Sequence, residues 1–330
     1  MVKRVSVLVA VHNSAQWLPR CLDSLCSQSY GNVEVVCVDD ASSDGSAAII
    51  DDYCAKYDFV KKVTLDVNSG PAVARNEAFR ISTGDYITIL DSDDWLSSDA
   101  LERAAAVLDR YEDTASVLLR MVFHDEATGS ERDFVNRYSA DVLDGEDAMR
   151  LALDWDIHGL YVARRELYEK FPFDTASFLY SDDNTARRHY LHSGKVRFCD
   201  GVYYYFQRAG SVMHNPGIHY ADWMEATASL KQMLVEEKQP DTYINHIEAR
   251  LWQNIVAVAG YYWRYGHTLT KEQRASLLGR IEKHHAAAET DRLPLSLKMK
   301  FGFLPFKWNF ALFMMQARIY FYLRKAIKGI

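Results

Sequence analysis

Gly84-Asp85-Tyr86-Ile87-Thr88-Ile89-Leu90-Asp91-Ser92-Asp93-Asp94 is the stretch that decides how this chain folds and where its chemistry lies. Residues 86–90 are apolar and rich in β-branched side chains, which predicts a short buried strand. The run ends in the carboxylates of Asp91, Asp93 and Asp94, and open α/β sheets bind their ligands at such strand ends. Crowded carboxylate oxygens suit Mg²⁺ or Mn²⁺, which proteins usually share with substrate phosphates. The stretch therefore indicates a metal–phosphate site.

The same carboxylates also have an interpretation that involves no ligand. Aspartate is common at helix N-caps, so the stretch equally fits a solvated turn in which Asp94 or Ser97 caps the following helix. The stretch taken alone does not decide between the two interpretations.

The composition limits the class of protein. The chain has 330 residues, is 48% hydrophobic and carries a formal net charge of −7. The length predicts one large domain with an extension, and the acidity argues against a nucleic-acid partner. The five cysteines are an odd number without a Cys-x-x-Cys pair, which indicates a reducing, cytoplasmic compartment. No stretch reaches the roughly 18 apolar residues that a membrane-spanning helix needs.

Strand and helix patterns alternate along the first third of the chain. Repeated β–α units of this kind predict a Rossmann-like α/β fold with a mostly parallel, doubly wound sheet. The predicted strands cover 5–11, 33–38, 60–67 and 86–90, and the predicted helices cover 15–28, 46–57, 72–81 and 101–111.

The remainder of the chain changes character twice. Strands are predicted over 117–123 and 201–207, with a polar loop over 133–140, and helical periodicity then prevails over 220–236, 242–265 and 271–288. We therefore predict a domain over 1–215, with halves at 1–105 and 106–215. A helical extension over 216–330 follows and ends in a basic amphipathic tail.

Two groups of carboxylates follow predicted strands. Asp39 and Asp40 end the second strand, and the group at 91–94 ends the fourth. In a doubly wound sheet both groups line one crevice, where a nucleotide diphosphate is a natural occupant. One carboxylate group can accept hydrogen bonds from a base or ribose, while a metal-bound carboxylate fixes the diphosphate.

A loop between these groups, residues 68–76, has the features of an anion site. Gly70 permits a tight backbone turn, and small residues after it allow close approach. Arg75 and Asn76 fall in the first turns of a helix whose N-terminus favours anions. The alternative is an ordinary capped helix with Arg75 in a surface ion pair.

These segments together resemble glycosyltransferase family 2. Four motifs carry the resemblance in the family's order, strongly over residues 1–110 and weakly to about 215: Val5 to Asn13, Val38 to Ser46, Asn68-x-Gly70-x-x-x-Ala74-Arg75-Asn76, and Gly84 to Asp94 with its Asp91-x-Asp93-Asp94. His12 and Ala10 depart from the aromatic residue and the proline usual there. The resemblance implies a GT-A fold and an inverting transfer from a nucleotide-diphospho-sugar, UDP-linked in many relatives.

The resemblance also implies roles for individual residues. Asp93, with Asp91, would ligate Mg²⁺ or Mn²⁺ on the diphosphate, and Asp40, helped by Asp39, would hold the uracil or ribose. Arg75 and Asp94 would orient the donor sugar or phosphate. The further residues expected at the nucleotide-sugar are Val11, Asn13, Asn68, Gly70, Ser92 and His214.

The acceptor half must supply a base, because inverting transfer is a single displacement in which the acceptor hydroxyl loses its proton. Asp182-Asp183 resembles the family's acidic pair, in which the second member is the base, so Asp183 takes that role. Asp182 replaces the glutamate common at the first position. The alternative is that both residues cap a helix over 185–190.

The tail beyond residue 292 contains no acidic residue, and its basic side chains are interleaved with aromatic ones. Such a segment is typical of contact with an anionic membrane surface, here the inner face of the plasma membrane. A lipid-linked or glycan acceptor for cell-surface polysaccharide fits this location. The alternatives for the tail are packing on the enzyme's own core and a homodimer interface.

Two rival functions use the same pattern. A non-catalytic sugar-nucleotide-binding scaffold can share the fold, and a phosphatase of the haloacid dehalogenase type also has an Asp-x-Asp at a strand end. In that phosphatase the motif usually follows the first strand and precedes Thr or Val, whereas Asp94-Trp95 follow it here. Neither the sugar nor the acceptor linkage leaves a motif in the sequence.

Overall fold

The computed structural model describes residues 2–135, 137, 140–208, 217–300 and 302–328, with side chains described as far as residue 323. The chain divides into two units. The first comprises Met1–Phe178 and Asp182–His214, and the second comprises Leu179–Ser181 and Asn215–Ile330. A linear division at residue 215 does not anticipate that the short segment 179–181 belongs to the second unit.

The first unit alternates strands and helices around one sheet. Its strands are β1 (Val5–Val11), β2 (Val33–Asp40), β3 (Val60–Leu65), β4 (Tyr86–Ile89), β5 (Trp95–Leu96), β6 (Thr114–Asp125), β7 (Glu131–Asp133), β8 (Val142–Asp144), β9 (Tyr161–Arg164) and β10 (Lys195–Gln207). Its helices are α1 (Leu18–Cys26), α2 (Ser46–Lys56), α3 (Pro71–Ile81), α4 (Ala100–Arg110), α5 (Gly145–Leu153), α6 (Arg165–Lys170) and α7 (Asp182–Leu191).

The sheet has the order β3-β2-β1-β4-β9-β6-β10-β5, with β7 beside β6 and β8 beside β10. Strands β3, β2, β1 and β4 are parallel. Because β9 is antiparallel to both β4 and β6, strand β6 and its parallel neighbour β10 run in the same direction as β1. The prediction of a mixed α/β fold with a mostly parallel sheet is confirmed.

The central strands are continuous apolar runs because helices cover both faces of the sheet. Val7 and Val9 of β1 are fully buried, as are the intervening Leu8 and the side chains of β2 from Val35 to Val38. Leu18, Leu22 and Leu25 recur at helical spacing on α1, and this apolar stripe joins the same core. The core therefore fixes the strand ends from which the polar site residues extend.

Several element boundaries differ from the sequence prediction. Helix α1 begins at Leu18 rather than at residue 15, with a proline in its first turn where the missing N–H is tolerated. Asp99 occupies the N-cap position of α4, so neither Asp94 nor Ser97 has the capping role considered above. Elements α5, α6, β8 and β9 have no clear sequence signal, and β10 begins well before the aromatic run that indicated it.

The second unit is helical. Its α-helices are α8 (Asp222–Glu236), α9 (Asp241–Tyr265), α10 (Lys271–Ala287), α11 (Leu295–Lys298), α12 (Phe303–Trp308) and α13 (Phe310–Lys328). Their buried side chains form a core of their own around Ile255, Leu277, Phe306 and Phe313. Within the described residues, none of the helices is both long enough and apolar enough to cross a membrane.

Helix α13 lies close to α9 because of one glycine. A Cβ atom added at Gly260 of α9 would overlap the aromatic ring of Phe321, which packs against the backbone there. Met314 and Ala317, on the same side of α13, are also buried. The terminal helix therefore docks on the unit through one of its faces.

Candidate active site

The carboxyl ends of β1, β2 and β4 lie along one edge of the sheet, because β1 is parallel to both neighbours. The buried Val11 pairs with Asp39 in the ladder, and Leu8 pairs with Ile89 at the end of β4. This edge therefore carries both carboxylate groups, at residues 39–40 and 91–94. It is the sheet edge at which open α/β folds bind ligands.

Asp40 orders the loop that leads into α3. Its Oδ1 accepts from the Ser69 amide at 2.7 Å and its Oδ2 accepts from the Gly70 amide at 2.8 Å. Gly70 has φ +90°, and a Cβ there would lie 3.1 Å from the ring of Phe178, so only glycine fits without strain. Both oxygens of Asp40 thus have backbone partners, and its contact with a base or ribose stays a prediction.

Asp39 and Ser92 are also buried at this edge. Asp39 is 2% exposed, and its Oδ1 accepts from the Ser42 amide at 3.2 Å. The hydroxyl of Ser92 lies 2.7 Å from that of Ser14, which links the 91–94 segment to the loop after β1. These contacts fix the backbone of three loops around the crevice, while ligand contacts of Asp39 and Ser92 stay predictions.

His12, which replaces the aromatic residue usual in the family, joins three of the loops. Its Nδ1 lies 2.7 Å from the carbonyl oxygen of Asp40, which can only accept, so Nδ1 is the donor. Its Nε2 then accepts from the side-chain amides of Asn13 and Asn68, both at 3.0 Å. Asn13 has φ +49° and its Oδ1 accepts from the Ser43 amide at 2.8 Å. The imidazole therefore orients two predicted donor-site amides.

Arg75 connects the two halves of the site. Its guanidinium is 3% exposed, and its Nη2 pairs with Asp91 Oδ1 while its Nη1 pairs with Asp182 Oδ2 at 2.8 Å. The alternative of a surface ion pair is therefore wrong. The Nε atom of Arg75 is buried and has no hydrogen-bond partner in the described part of the chain. Burial, with the neighbouring Asp93 and Asp182, holds the pKa of Asp91 above its usual range although Arg75 opposes the shift.

Asp94 is a buried acceptor. Its Oδ2 accepts from the Tyr203 hydroxyl at 2.8 Å, and its Oδ1 accepts from the Phe206 amide at 2.7 Å. Burial raises the pKa of Asp94 well above its usual range, and Asp91 and Asp93 add to the shift. Asp94 therefore attaches the turn after β4 to β10, and its predicted contact with the donor remains untested by this geometry.

Asp93 is paired with an arginine directly after the end of β10. Its Oδ2 accepts from Arg208 Nε at 2.9 Å, and 24% of its side-chain surface is exposed. The guanidinium of Arg208 lies over the ring of Trp17, 3.9 Å from its centroid. Arg208 thus already neutralises the charge of Asp93. From the crowding of carboxylates in the sequence, we expected a metal ion to do so.

The donor set around Asp93 can be compared with what a divalent cation requires. Among the described residues, no group of three His, Cys, Asp or Glu side chains is placed to hold a metal ion. Mg²⁺ is commonly held by one or two carboxylates together with substrate phosphates, rather than by an all-protein cage. Asp93 fits a shared site of that kind. His214, the other predicted contact in this region, lies outside the described residues.

Asp183, at the start of α7, has the environment of a general base. Its Oδ2 accepts from Trp155 Nε1 at 3.1 Å, and Arg187 lies 3.8 Å away. Although 31% of the side chain is exposed, burial raises the pKa of Asp183 to about 6, with Asp182 adding to the shift and Arg187 opposing it. A base with a pKa near the working pH transfers protons efficiently.

The two neighbouring carboxylates are distinguished by their partners. Asp182 is paired with Arg75 at 2.8 Å, whereas Asp183 lies beside the neutral indole of Trp155 and 3.8 Å from Arg187. His158 is 2% exposed and packs edge-on against Phe134, and burial lowers its pKa to about 4. His158 is therefore a core residue.

Known proteins resemble this chain in sequence and in fold. The model of a family described as "Glycosyl transferase family 2" matches residues 6–173. Glycosyltransferase GlyG of Streptococcus pneumoniae serotype 4 is 28% identical over 224 residues, covering 64% of this chain and 74% of that protein. A poly(ribitol-phosphate) beta-glucosyltransferase of Bacillus spizizenii is 42% identical over 103 residues, covering 30% of this chain but only 16% of that protein.

One solved structure has a similar fold. S. aureus TarS 1-349, in a complex with UDP-GlcNAc, superposes with a TM-score of 0.72 at 19% sequence identity. The match covers 99% of this chain and 92% of that chain, so the two share a fold.

Proposed function

The chain belongs to glycosyl transferase family 2 and is a glycosyltransferase with a GT-A fold, and we propose that it performs an inverting transfer from a UDP-sugar. The acceptor is a hydroxyl of a glycan or lipid-linked glycan in cell-surface polysaccharide synthesis. The UDP-GlcNAc bound by S. aureus TarS supports the donor class. The acceptor class is supported by the names of relatives, which include a poly(ribitol-phosphate) glucosyltransferase and a putative teichuronic acid glycosyltransferase of Bacillus subtilis.

The Arg75 bridge is the observation that carries this proposal. It joins Asp91, at the strand edge where the donor is expected, to Asp182, the neighbour of the proposed base. A transferase that displaces a leaving group in one step must hold donor and base in one fixed geometry. A buried arginine paired with carboxylates of both halves supplies such a connection.

Asp183 deprotonates the acceptor hydroxyl while that oxygen attacks the anomeric carbon. The bond from the anomeric carbon to the diphosphate breaks, and the nucleotide diphosphate leaves with the electron pair. The proton passes to the carboxylate of Asp183. Because the transfer is a single displacement, no covalent intermediate forms and no second carboxylate is needed as a nucleophile. The raised pKa of about 6 keeps Asp183 largely ionised at neutral pH yet basic enough to accept the proton.

Asp93, together with Asp91 two residues before it, would hold Mg²⁺ or Mn²⁺ against the diphosphate oxygens. The cation, when bound, neutralises the charge that develops on the leaving diphosphate. In this role the cation would take the place that Arg208 occupies beside Asp93. Arg208 itself is then available to the diphosphate.

A panel of donors tests the donor site. UDP-, GDP- and dTDP-sugars are added to the enzyme with and without Mn²⁺, and unfolding is followed by thermal shift. We expect stabilisation by a UDP-sugar with Mn²⁺, approaching about 2.7 kcal/mol at 100 times the Kd. The stabilisation should be lost in Asp93→Ala and kept in Asp52→Ala, which removes an exposed carboxylate of α2. If no donor stabilises the enzyme with metal present, the proposed UDP-sugar site is wrong.

We propose that the terminal helix, α13, rests on the anionic inner face of the plasma membrane. One of its sides is buried in the second unit through Phe313 and Met314. The opposite side carries an exposed apolar stripe at helical spacing, formed by Leu312, Met315, Ile319, Tyr322 and Leu323 with exposed fractions of 41%, 55%, 51%, 75% and 51%. Packing on the enzyme's own core therefore accounts for one face of α13 and leaves the other without a partner among the described residues.

Vesicle flotation tests the membrane contact. Binding to vesicles containing phosphatidylglycerol should exceed binding to pure phosphatidylcholine and should fall with salt, since each basic residue contributes about 1 kcal/mol near an anionic surface. The double change Leu312→Ser/Ile319→Ser should weaken binding about tenfold or more. Val235→Ser, an exposed apolar position on α8, is the matched control. Unchanged flotation with loss of a dimer in sedimentation would instead identify the stripe as a homodimer interface.

A further inference from the structure

The second unit contains a cavity that the transfer reaction described above does not use. It has a volume of about 230 Å³ and is lined by Tyr220, just before α8, Trp223 in the first turn of α8, and Asn254, Ala257 and Val258 in the middle of α9. Typical pockets for small molecules have about 300–1,000 Å³, so this aromatic cavity has room for one ring and not for a long oligosaccharide.

Two aromatic walls of the cavity are held rigidly. The indole of Trp223 stacks on Tyr180 at a centroid distance of 4.0 Å and an angle of 13°, and Tyr220 stacks on Tyr261 at 4.8 Å and 22°. Each wall thus has one face covered by another ring, and Trp223 remains 39% exposed. Preformed aromatic faces bind a ligand at little cost in side-chain entropy.

Tyr180 holds its position against a backbone preference. Its φ is +73°, a region that bulky residues rarely occupy and that persists only where surrounding contacts require it. The stacking with Trp223 and the hydrogen bond from the Leu179 amide to Asp222 Oδ2 at 3.1 Å are such contacts. Tyr180, which stacks on the cavity wall Trp223, stands three residues before the proposed base Asp183 in the sequence.

Asn254 gives the cavity one oriented polar group. Its Nδ2 donates to the Trp223 carbonyl at 3.2 Å and to the Thr227 hydroxyl at 2.8 Å, which uses both amide hydrogens. The amide can therefore offer a ligand its carbonyl oxygen as an acceptor. Among the described residues that line the cavity, none is charged, so a phosphate or a nucleotide gains no ionic contact there.

We propose that the aromatic cavity binds a single uncharged sugar ring of the acceptor glycan, an inference that rests on the proposed function. The C–H bonds of a sugar ring carry slight positive charge and pack on the electron-rich faces of Trp223 and Tyr220. A ring hydroxyl donates to Asn254. A subsite of this kind binds one sugar unit of the growing glycan, while a different sugar unit of the same glycan receives the transferred sugar.

A direct titration tests the proposal without requiring turnover. The full chain is labelled with 5-fluorotryptophan, the Trp223 resonance is assigned with Trp223→Phe, and methyl glucoside, methyl galactoside and N-acetylglucosamine are added in turn. At least one ring sugar should shift the Trp223 signal saturably, whereas sorbitol, which has hydroxyls but no ring, and inorganic phosphate should not. Ala257→Leu, which fills the cavity and leaves the aromatic stacks in place, should weaken binding about tenfold or more.

The outcomes separate this inference from the proposed function. No saturable shift with any ring sugar, in a protein still stabilised by a UDP-sugar, overturns the cavity proposal alone. Equal shifts from sorbitol or phosphate also overturn it. If ring sugars bind but no donor stabilises the chain, the proposed transfer from a UDP-sugar is wrong. The identification of the bound ring as part of an acceptor glycan then fails with it.

Discussion

Asp183→Asn is expected to lower kcat by about 10²–10⁴-fold, the usual contribution of a general base, while donor binding stays unchanged. The amide keeps the size of the carboxylate and can still meet Trp155, but it cannot accept the acceptor's proton. Transfer is measured with a saturating donor, and donor binding is followed by thermal shift. Asp147→Asn, which removes an exposed carboxylate on α5, is the matched control and should keep full activity.

The pH profile provides an independent check of the same assignment. Because the pKa of Asp183 is raised to about 6, the base is protonated below that pH and kcat/KM should fall there. The hydrogen bond from Trp155 lowers the pKa of Asp183, so Trp155→Phe should move this acid limb to higher pH. Full activity in Asp183→Asn, or an acid limb that survives in it, would show that another group takes the proton.

Arg75→Met is expected to lower the free energy of unfolding by about 3 kcal/mol and to abolish transfer. Removing one partner of a buried ion pair typically costs about 3–5 kcal/mol, because the remaining charge is left uncompensated. The estimate lies at the low end because the side chains of Asp91 and Asp182 are 37% and 33% exposed, which lets water screen them. The loss is measured by urea unfolding at neutral pH.

Arg80→Met is the matched control for this change. Arg80 lies on the same helix and is paired with Glu77, but it is 66% exposed, so its loss should cost about 1 kcal/mol or less. The double change Arg75→Met/Asp182→Asn should recover part of the stability lost in Arg75→Met. If Arg75→Met costs no more than Arg80→Met, the bridge does not hold the two halves together.

The sequence is informative where local pattern and strand order determine the structure. The β-branched runs and the helical stripe of α1 reflect burial on a covered sheet, and their alternation predicts mostly parallel strands. The carboxylate groups at 39–40 and 91–94 are found on one edge because parallel strands end together. Such features depend on residues close in sequence or on general rules of topology.

The remaining features of the site depend on contacts between distant residues. Arg208 meets Asp93, and Trp155 meets Asp183, only after the chain has folded, and no local motif marks these partners. The two amide partners of Asp40 likewise come from the loop before α3. Both of its carboxylate oxygens therefore already accept hydrogen bonds, which the sequence does not reveal. His12 departs from the family's usual aromatic residue, and its role became visible only with the positions of Asn13 and Asn68.

Gly260 sets how closely the terminal helix can pack on α9. Because the ring of Phe321 occupies the space of a β-carbon there, a larger residue at 260 requires that ring to move. A protein engineer who wishes to transplant α13 to another scaffold should therefore carry the α9 segment around Gly260 along with it, since that segment supplies the surface that the ring contacts.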